Sequence, residues 1–218
     1  MLGVRSRHFG STIGVLGSGP TLNQFRDKIN SLCDIVIACN GSVLALNPSS
    51  HTIDYYLYYD WRVTTKDWFG KHQSFYTSQN IPSLLRPLIG KRPKLLMPLQ
   101  EICENVPISE DVYYYNHRVV DSNHFSLDNN HIIYNYCTVV GVGVQFAYKM
   151  GASKICLFGC SFDNDSGRNY AVASNTDNDG LTSLYQRKRM DAIIKKIKHE
   201  GIKVISFGKT RLEEPVQS

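Results

Sequence analysis

The stretch Ser11–Leu22 reads STIGVLGSGPTL, and its interpretation decides the fold. Thr12–Gly17 is a short apolar run with β-branched residues, closed by glycine, which reads as a buried strand. Gly17-Ser18-Gly19-Pro20-Thr21 then breaks the run. Leu22, Phe25, Ile29 and Leu32 follow at helical spacing, with Thr21 placed to cap the helix they predict. A strand, a glycine loop and a helix in that order are the opening unit of an α/β domain. The loop itself has two readings, a plain surface turn or a cradle for phosphate. Glycine lets backbone approach a phosphate closely, and N–H groups at a helix start point toward it. Pro20 stiffens the turn at little cost, because a first-turn N–H has no helical partner. The loop is neither G-x-G-x-x-G, since Leu22 holds the third glycine's place, nor a G-x-x-x-x-G-K-[ST] loop.

Outward from this unit, apolar runs alternate with helical patterns. Asp34–Gly41 (DIVIACNG) and Ile53–Asp60 (IDYYLYYD) predict two more strands, and SFYTS and KLLMPL two further short ones between prolines. Val112 to Asn135 is rich in Tyr, Asn and His without a strong period. It predicts short elements and loops, a lid-like irregular region spanning about 100–137. TVVGVGVQFAYKMGA, from Thr138, predicts a helix closed by Gly151. Lys154–Phe162 (KICLFGCSF) predicts a strongly apolar strand. LTSLYQRKRMDAIIKKIKHEG predicts a helix with Met190, Ile193, Ile194 and Ile197 on one face, closed by Gly201. Lys203–Phe207 (KVISF) predicts a last strand. The expectation is one Rossmann-like α/β domain over residues 1–218, with a mainly parallel sheet and helices on both faces.

The chain has 218 residues, 42% of them hydrophobic, enough for a sizeable core, and a formal charge of +5. That modest excess suits a phosphate-bearing ligand or an anionic membrane surface better than a nucleic-acid footprint. No apolar run is long enough for a membrane helix, and no signal peptide is expected behind MLGVRSRHFG. The six cysteines (Cys33, Cys39, Cys103, Cys137, Cys156 and Cys160) include no C-x-x-C pair. They read as reduced core thiols of a cytoplasmic protein, without the ligand spacing of a zinc site.

Ligands of an open parallel sheet bind at the carboxyl ends of the strands. The candidates are therefore Gly17–Thr21, Asn40-Gly41, Tyr59-Asp60 and Gly159–Asp163. Asn40 suits a ribose hydroxyl or base edge, or is simply a turn residue before Gly41. Asp60 suits a sugar or a metal, though one carboxylate makes no metal site. Asp163-Asn164-Asp165 and Asp177-Asn178-Asp179 look like D-x-D motifs, but Asx and glycine clusters are usually turns, and the EF-hand pattern fails at Gly167 and Ser174. His117, His124 and His131 lie in the irregular region and are candidate bases or surface residues. The basic cluster Arg187, Lys188, Arg189, Lys195, Lys196 and Lys198 reads as the solvated face of its helix. Lys209 and Arg211 are better placed to meet a phosphate.

GSGPTL, the CN after the second strand, and TVVGVGVQFAYKMGASKICLFGCSFDNDSGRNYAV together resemble two related groups. One is the bacterial sialyltransferases of glycosyltransferase family 42, which move sialic acid from CMP-sialic acid to lipooligosaccharide. The other is the MptE-like group, which includes a 6-hydroxymethylpterin diphosphokinase and the Maf flagellin glycosylation proteins. The sialyltransferase resemblance implies that Gly17, Ser18, Gly19, Pro20 and Thr21 line the nucleotide phosphate and ribose, with Asn40, Thr138 and Gly159 completing the nucleotide site. It implies that Asp60 stands at a donor contact and that Tyr170 helps the phosphate leave. Val139 stands where a small hydroxyl residue belongs, Ser161 where an aspartate belongs, and no histidine precedes NTD. The base is then either another histidine, with His131 the candidate, or absent. The expected function is a transferase with a nucleotide-activated donor, a glycosyltransferase of bacterial surface-glycan synthesis that needs no cofactor. Its partners would be a nucleotide-sugar donor and a glycan or glycolipid acceptor, with the inner membrane surface and a second copy of the chain as optional ones. The alternatives are a Mg²⁺-dependent pyrophosphokinase leaning on Asp60, Asp163 or Asp165, and a nucleotide-binding module with a decayed site.

Overall fold

In the computed structural model of the chain, the described residues are 5–46, 51–57, 94–98, 112–119, 132–135, 138–160, 180–208 and 215–216. They build nine strands: β1 (Thr12–Leu16), β2 (Ile35–Cys39), β3 (Tyr55–Leu57), β4 (Lys94–Pro98), β5 (Val112–Val119), β6 (Ile132–Asn135), β7 (Lys154–Phe158), β8 (Lys203–Phe207) and β9 (Pro215–Val216). The helices are α1 (Leu22–Phe25), α2 (Ile29–Leu32), α3 (Val139–Lys149) and α4 (Gly180–His199), with 3₁₀ turns at Arg26–Lys28 and Asn40–Ala45.

The strands form one sheet in the order β6-β5-β4-β3-β2-β1-β7-β8-β9. Every described pairing is parallel, with Ile13 opposite Ile35 on one side and opposite Ile155 on the other. This is the expected Rossmann-like α/β arrangement. β1 lies at its topological switch point: the strands that follow β1 in the chain run outward on one side, and β7–β9 extend on the other.

Burial on both faces explains the near-continuous apolar runs. Ile13, Val15, Ile37, Leu57, Ile155 and Leu157 join one core with Val142 and Phe146 of α3, Met150 just past its end, and Met190, Ile193, Ile194 and Ile197 of α4. Each fully buried Ile or Val contributes about 1.5–3 kcal/mol relative to exposure. α3 is apolar around almost its whole circumference and is buried from Val140 to Ala147. At Gly143 it comes so near the sheet that a Cβ would sit 2.8 Å from Val15 Cγ1. On the opposite face, Phe25 of α1 meets Phe207 edge to face, and Phe207 stacks on Phe158 at 4.6 Å between centroids.

Three expectations are corrected. The helix read from Leu22 to Leu32 is two short helices joined by a 3₁₀ turn, because Asn23, Asp27, Asn30 and Ser31 are weak helix formers. Thr21 does not cap it: its backbone is already helical at φ −64° and its side chain makes no capping bond. The region expected to be irregular from Val112 contains β5 and β6, strands of the main sheet, and Tyr115 and Ile133 are core residues. The SFYTS strand lies outside the described residues.

Candidate functional site

β1 and β7 end side by side, and each is followed directly by a glycine. Gly17 N–H donates to Phe158 O at 2.7 Å, and Gly19 N–H donates to Gly159 O at 2.9 Å. A Cβ on Gly17 would lie 2.6 Å from Gly159 O. Gly159 adopts φ +66°, where glycine carries no steric cost. The crevice at the switch point is thus floored by backbone in direct contact. Two amides expected to face a phosphate, those of Gly17 and Gly19, are spent inside the protein. The Ser18 and Thr21 amides have no acceptor among the described residues.

Three further elements converge on this loop. The first turn of α3 adjoins Gly17, whose Cβ would stand 3.1 Å from Val140 Cγ2. Thr138 precedes that turn in extended conformation, with no side-chain capping bond. β2 ends beside it, where Cys39 Sγ donates to Val139 O at 3.9 Å. Asn40 follows with φ +43°, a left-handed conformation that asparagine tolerates better than most residues, and it opens the 3₁₀ turn. Gly208, just past β8, approaches Thr21 so closely that its Cβ would lie 3.0 Å from Thr21 Cβ. The structure therefore brings together Gly17–Thr21, Asn40, Thr138 and Gly159 at the carboxyl edge of the sheet.

Two buried hydroxyls mark this edge. Thr21 is 7% exposed and Ser42 fully buried, and among the described residues neither Thr21 Oγ1 nor Ser42 Oγ has a hydrogen-bond partner. A buried hydroxyl without a partner costs about 1–3 kcal/mol. Ser42 was not among the sequence candidates; its only signal was a hydroxyl residue just after the Asn40-Gly41 turn. The floor carries two thiols that are not nucleophiles. Burial pushes Cys160 up to about 12, partly offset by the Gly17 amide, and holds Cys39 well above the ordinary range.

The catalytic candidates Asp60, His131 and Tyr170 lie outside the described residues, as do His124, Lys209, Arg211 and both D-x-D motifs. His117 is in β5. His8 and His51 serve the fold elsewhere: His8 Nε2 meets Tyr55 Oη at 2.8 Å beside the amino ends of the strands, and His51 Nε2 meets Arg26 O at 2.8 Å. Among the described residues no three metal-ligating side chains gather, and no helix is long and apolar enough to cross a membrane.

No family model and no curated protein matches the sequence. The fold does match solved structures. The sialyltransferase CstII from Campylobacter jejuni in complex with cytidine-5'-monophosphate aligns over 91% of this chain and 80% of its own, at TM-score 0.51 and 15% identity. The same enzyme with CMP-3FNeuAc aligns over 90% of this chain and 80% of its own, at TM-score 0.46 and 12% identity. At 15% identity the likeness to the first of these is one of fold alone: the sheet and helices follow the same α/β plan.

Proposed function

We propose that the chain is a glycosyltransferase that binds a CMP-sialic-acid-like donor at the carboxyl edge of the sheet. The observation that carries the reading is the pair of buried hydroxyls of Thr21 and Ser42, unpartnered among the described residues, in the segments that follow β1 and β2. They lie where a doubly wound sheet binds its ligand, in a fold like that of a CMP-bound sialyltransferase. In this reading Gly17–Thr21, Asn40, Thr138 and Gly159 surround the nucleotide. The Ser18 and Thr21 amides and the start of α3 face its phosphate. Asp60 contacts the donor, Tyr170 supports the leaving phosphate, and His131 takes the acceptor proton. Displacement at the anomeric carbon then transfers the sugar to a glycan or glycolipid acceptor, with charge on the departing phosphate met by fixed donors.

Thermal shifts with CMP, CDP, UDP, GDP and ATP, each with Mg²⁺ and with chelator, test this. Cytidine nucleotides should raise the Tm in either condition; a ligand at a hundred times its Kd contributes about 2.7 kcal/mol. A shift seen only with ATP and Mg²⁺ would assign the chain to pyrophosphoryl transfer instead. No shift with any nucleotide would overturn the donor site.

A further inference from the structure

Positive charge collects at the amino edge of the sheet, opposite the candidate site. β4, β7 and β8 each begin with a lysine: Lys94, Lys154 and Lys203. Lys154 and Lys203 are direct register partners on neighbouring strands, so their side chains leave the same face side by side. Like charges directly opposite each other are destabilising, and neither lysine has an ion-pair partner among the described residues. The described carboxylates at this edge are Asp34, Asp54 and Glu200. Asp34 and Asp54 are committed to backbone, accepting from the N–H groups of Thr12 and Val36.

The segment Arg5–Gly10 lies against the same edge and is held there firmly. The N–H groups of Ser6, His8 and Gly10 donate to the carbonyls of Lys149, Met150 and Gly151, each at 2.9 Å, so the segment closes the end of α3. Ser153 ties it to the start of β7, its hydroxyl donating to Gly10 O at 2.6 Å and its N–H to Ser11 O at 3.0 Å. Alternating with the bonded amides are Arg5, Arg7 and Phe9, all exposed. Phe9 is 84% exposed although the backbone on both sides of it is fixed. Leu32, the other large apolar residue left exposed among the described residues, ends α2 at this edge. Scattered single apolar residues on a surface need no explanation. Here the two share one edge, and one of them is held out between cations.

We propose that the amino edge of the sheet docks on an anionic lipid bilayer. Phe9 enters the boundary between headgroups and acyl chains, and Arg5, Arg7, Lys154 and Lys203 face the lipid phosphates. A nucleic acid would also meet the cations, but it offers no apolar phase for Leu32. Docking by this edge leaves Gly17–Thr21, at the far end of the same sheet, open to water.

The test sediments the full chain with vesicles of phosphatidylcholine alone and of phosphatidylcholine mixed with phosphatidylglycerol. The mixed vesicles should carry the chain down, the neutral ones should not, and added salt should weaken the binding. Lys154→Gln and Lys203→Gln should each weaken it about fivefold, and Phe9→Ser about tenfold. These side chains project from the surface, so the variants should melt with the parent. In Phe9→Trp, lipids brominated on their acyl chains should quench the added fluorescence. Equal binding to both kinds of vesicle, binding undiminished in the lysine and Phe9→Ser variants, or no added quenching in Phe9→Trp would each overturn the proposal. Tighter binding to a single-stranded oligonucleotide than to the mixed vesicles, lost in the same variants, would assign the edge to nucleic acid and overturn it as well.

Discussion

A Cβ on Gly159 would stand 2.3 Å from the carbonyl oxygen of Gly17. The backbone angle and the missing side chain are both needed at this point, since Gly159 sits at φ +66° against the end of a neighbouring strand. Gly159→Ala should cost about 3 kcal/mol from left-handed strain and the clash together. That corresponds to a Tm lower by roughly 6–12 °C for a chain of this size. A melting curve within about 2 °C of the parent would show that the two strand ends can part freely.

Thr21 and Ser42 should separate stability from binding. Thr21→Val keeps the shape and removes a hydroxyl that has no partner among the described residues. Because an unmet buried hydroxyl is itself a cost of about 1–3 kcal/mol, Thr21→Val and Ser42→Ala should leave the Tm unchanged or raise it. If each hydroxyl bonds the nucleotide, affinity for CMP should fall about fivefold per substitution, the equivalent of roughly 1 kcal/mol. Calorimetry showing unaltered affinity in both variants would remove them from the site.

His8 predicts a pH response. Burial lowers it below the ordinary histidine value of 6.5; the Asp54 carboxylate opposes this, while Arg7 and Lys94 add to it. Tyr55, its partner, is pushed up to about 12 by burial and remains a neutral phenol. The folded state therefore prefers neutral His8, and the unfolded chain binds the proton first. This contribution is intact above pH 6.5 and is lost as pH falls from there through the folded value. Urea midpoints taken from pH 8 to pH 5 should decline across that window, and His8→Gln should flatten the decline. An equal decline in His8→Gln would assign it to other groups.

Tyr170→Phe keeps the ring and removes only the hydroxyl. If that hydroxyl steadies the departing phosphate, turnover should fall at least about tenfold while the Tm barely moves, since losing one such donor typically costs 10²–10³. Turnover within about twofold of the parent, on the donor identified by the nucleotide panel, would exclude Tyr170 from the chemistry.

The sheet was legible where burial on both faces makes a strand a plain apolar run. KVISF is β8 residue for residue, and KICLF opens the segment read as β7. Gly151 and Gly201 close their helices at φ +90° and +83°, as their positions after apolar periodic segments foretell. β5 was hidden because VYYYNHRV mixes tyrosines with Asn, His and Arg. Its aromatic content is a strand signal, but it lacks both the unbroken hydrophobicity of a core strand and a period of two. The site was legible as a set of strand ends, because topology alone names that edge. How the loop uses its amides was not legible. Gly17 and Gly19 turn theirs toward β7, a pairing between segments far apart in the chain that no local pattern encodes.

The place of β1 in the sheet also sets when the protein can fold. One neighbour, β2, follows it almost at once, but the other, β7, begins only at Lys154. During synthesis the amino-terminal strands must leave the ribosome with one long edge of β1 unpaired, its N–H and C=O groups open to any passing strand. Loop closure over so long a span comes late and slowly. Nascent chains halted before Lys154 should therefore expose a sticky half-sheet, a natural client for chaperones, while chains carried past Phe158 should gain protease resistance in a single step.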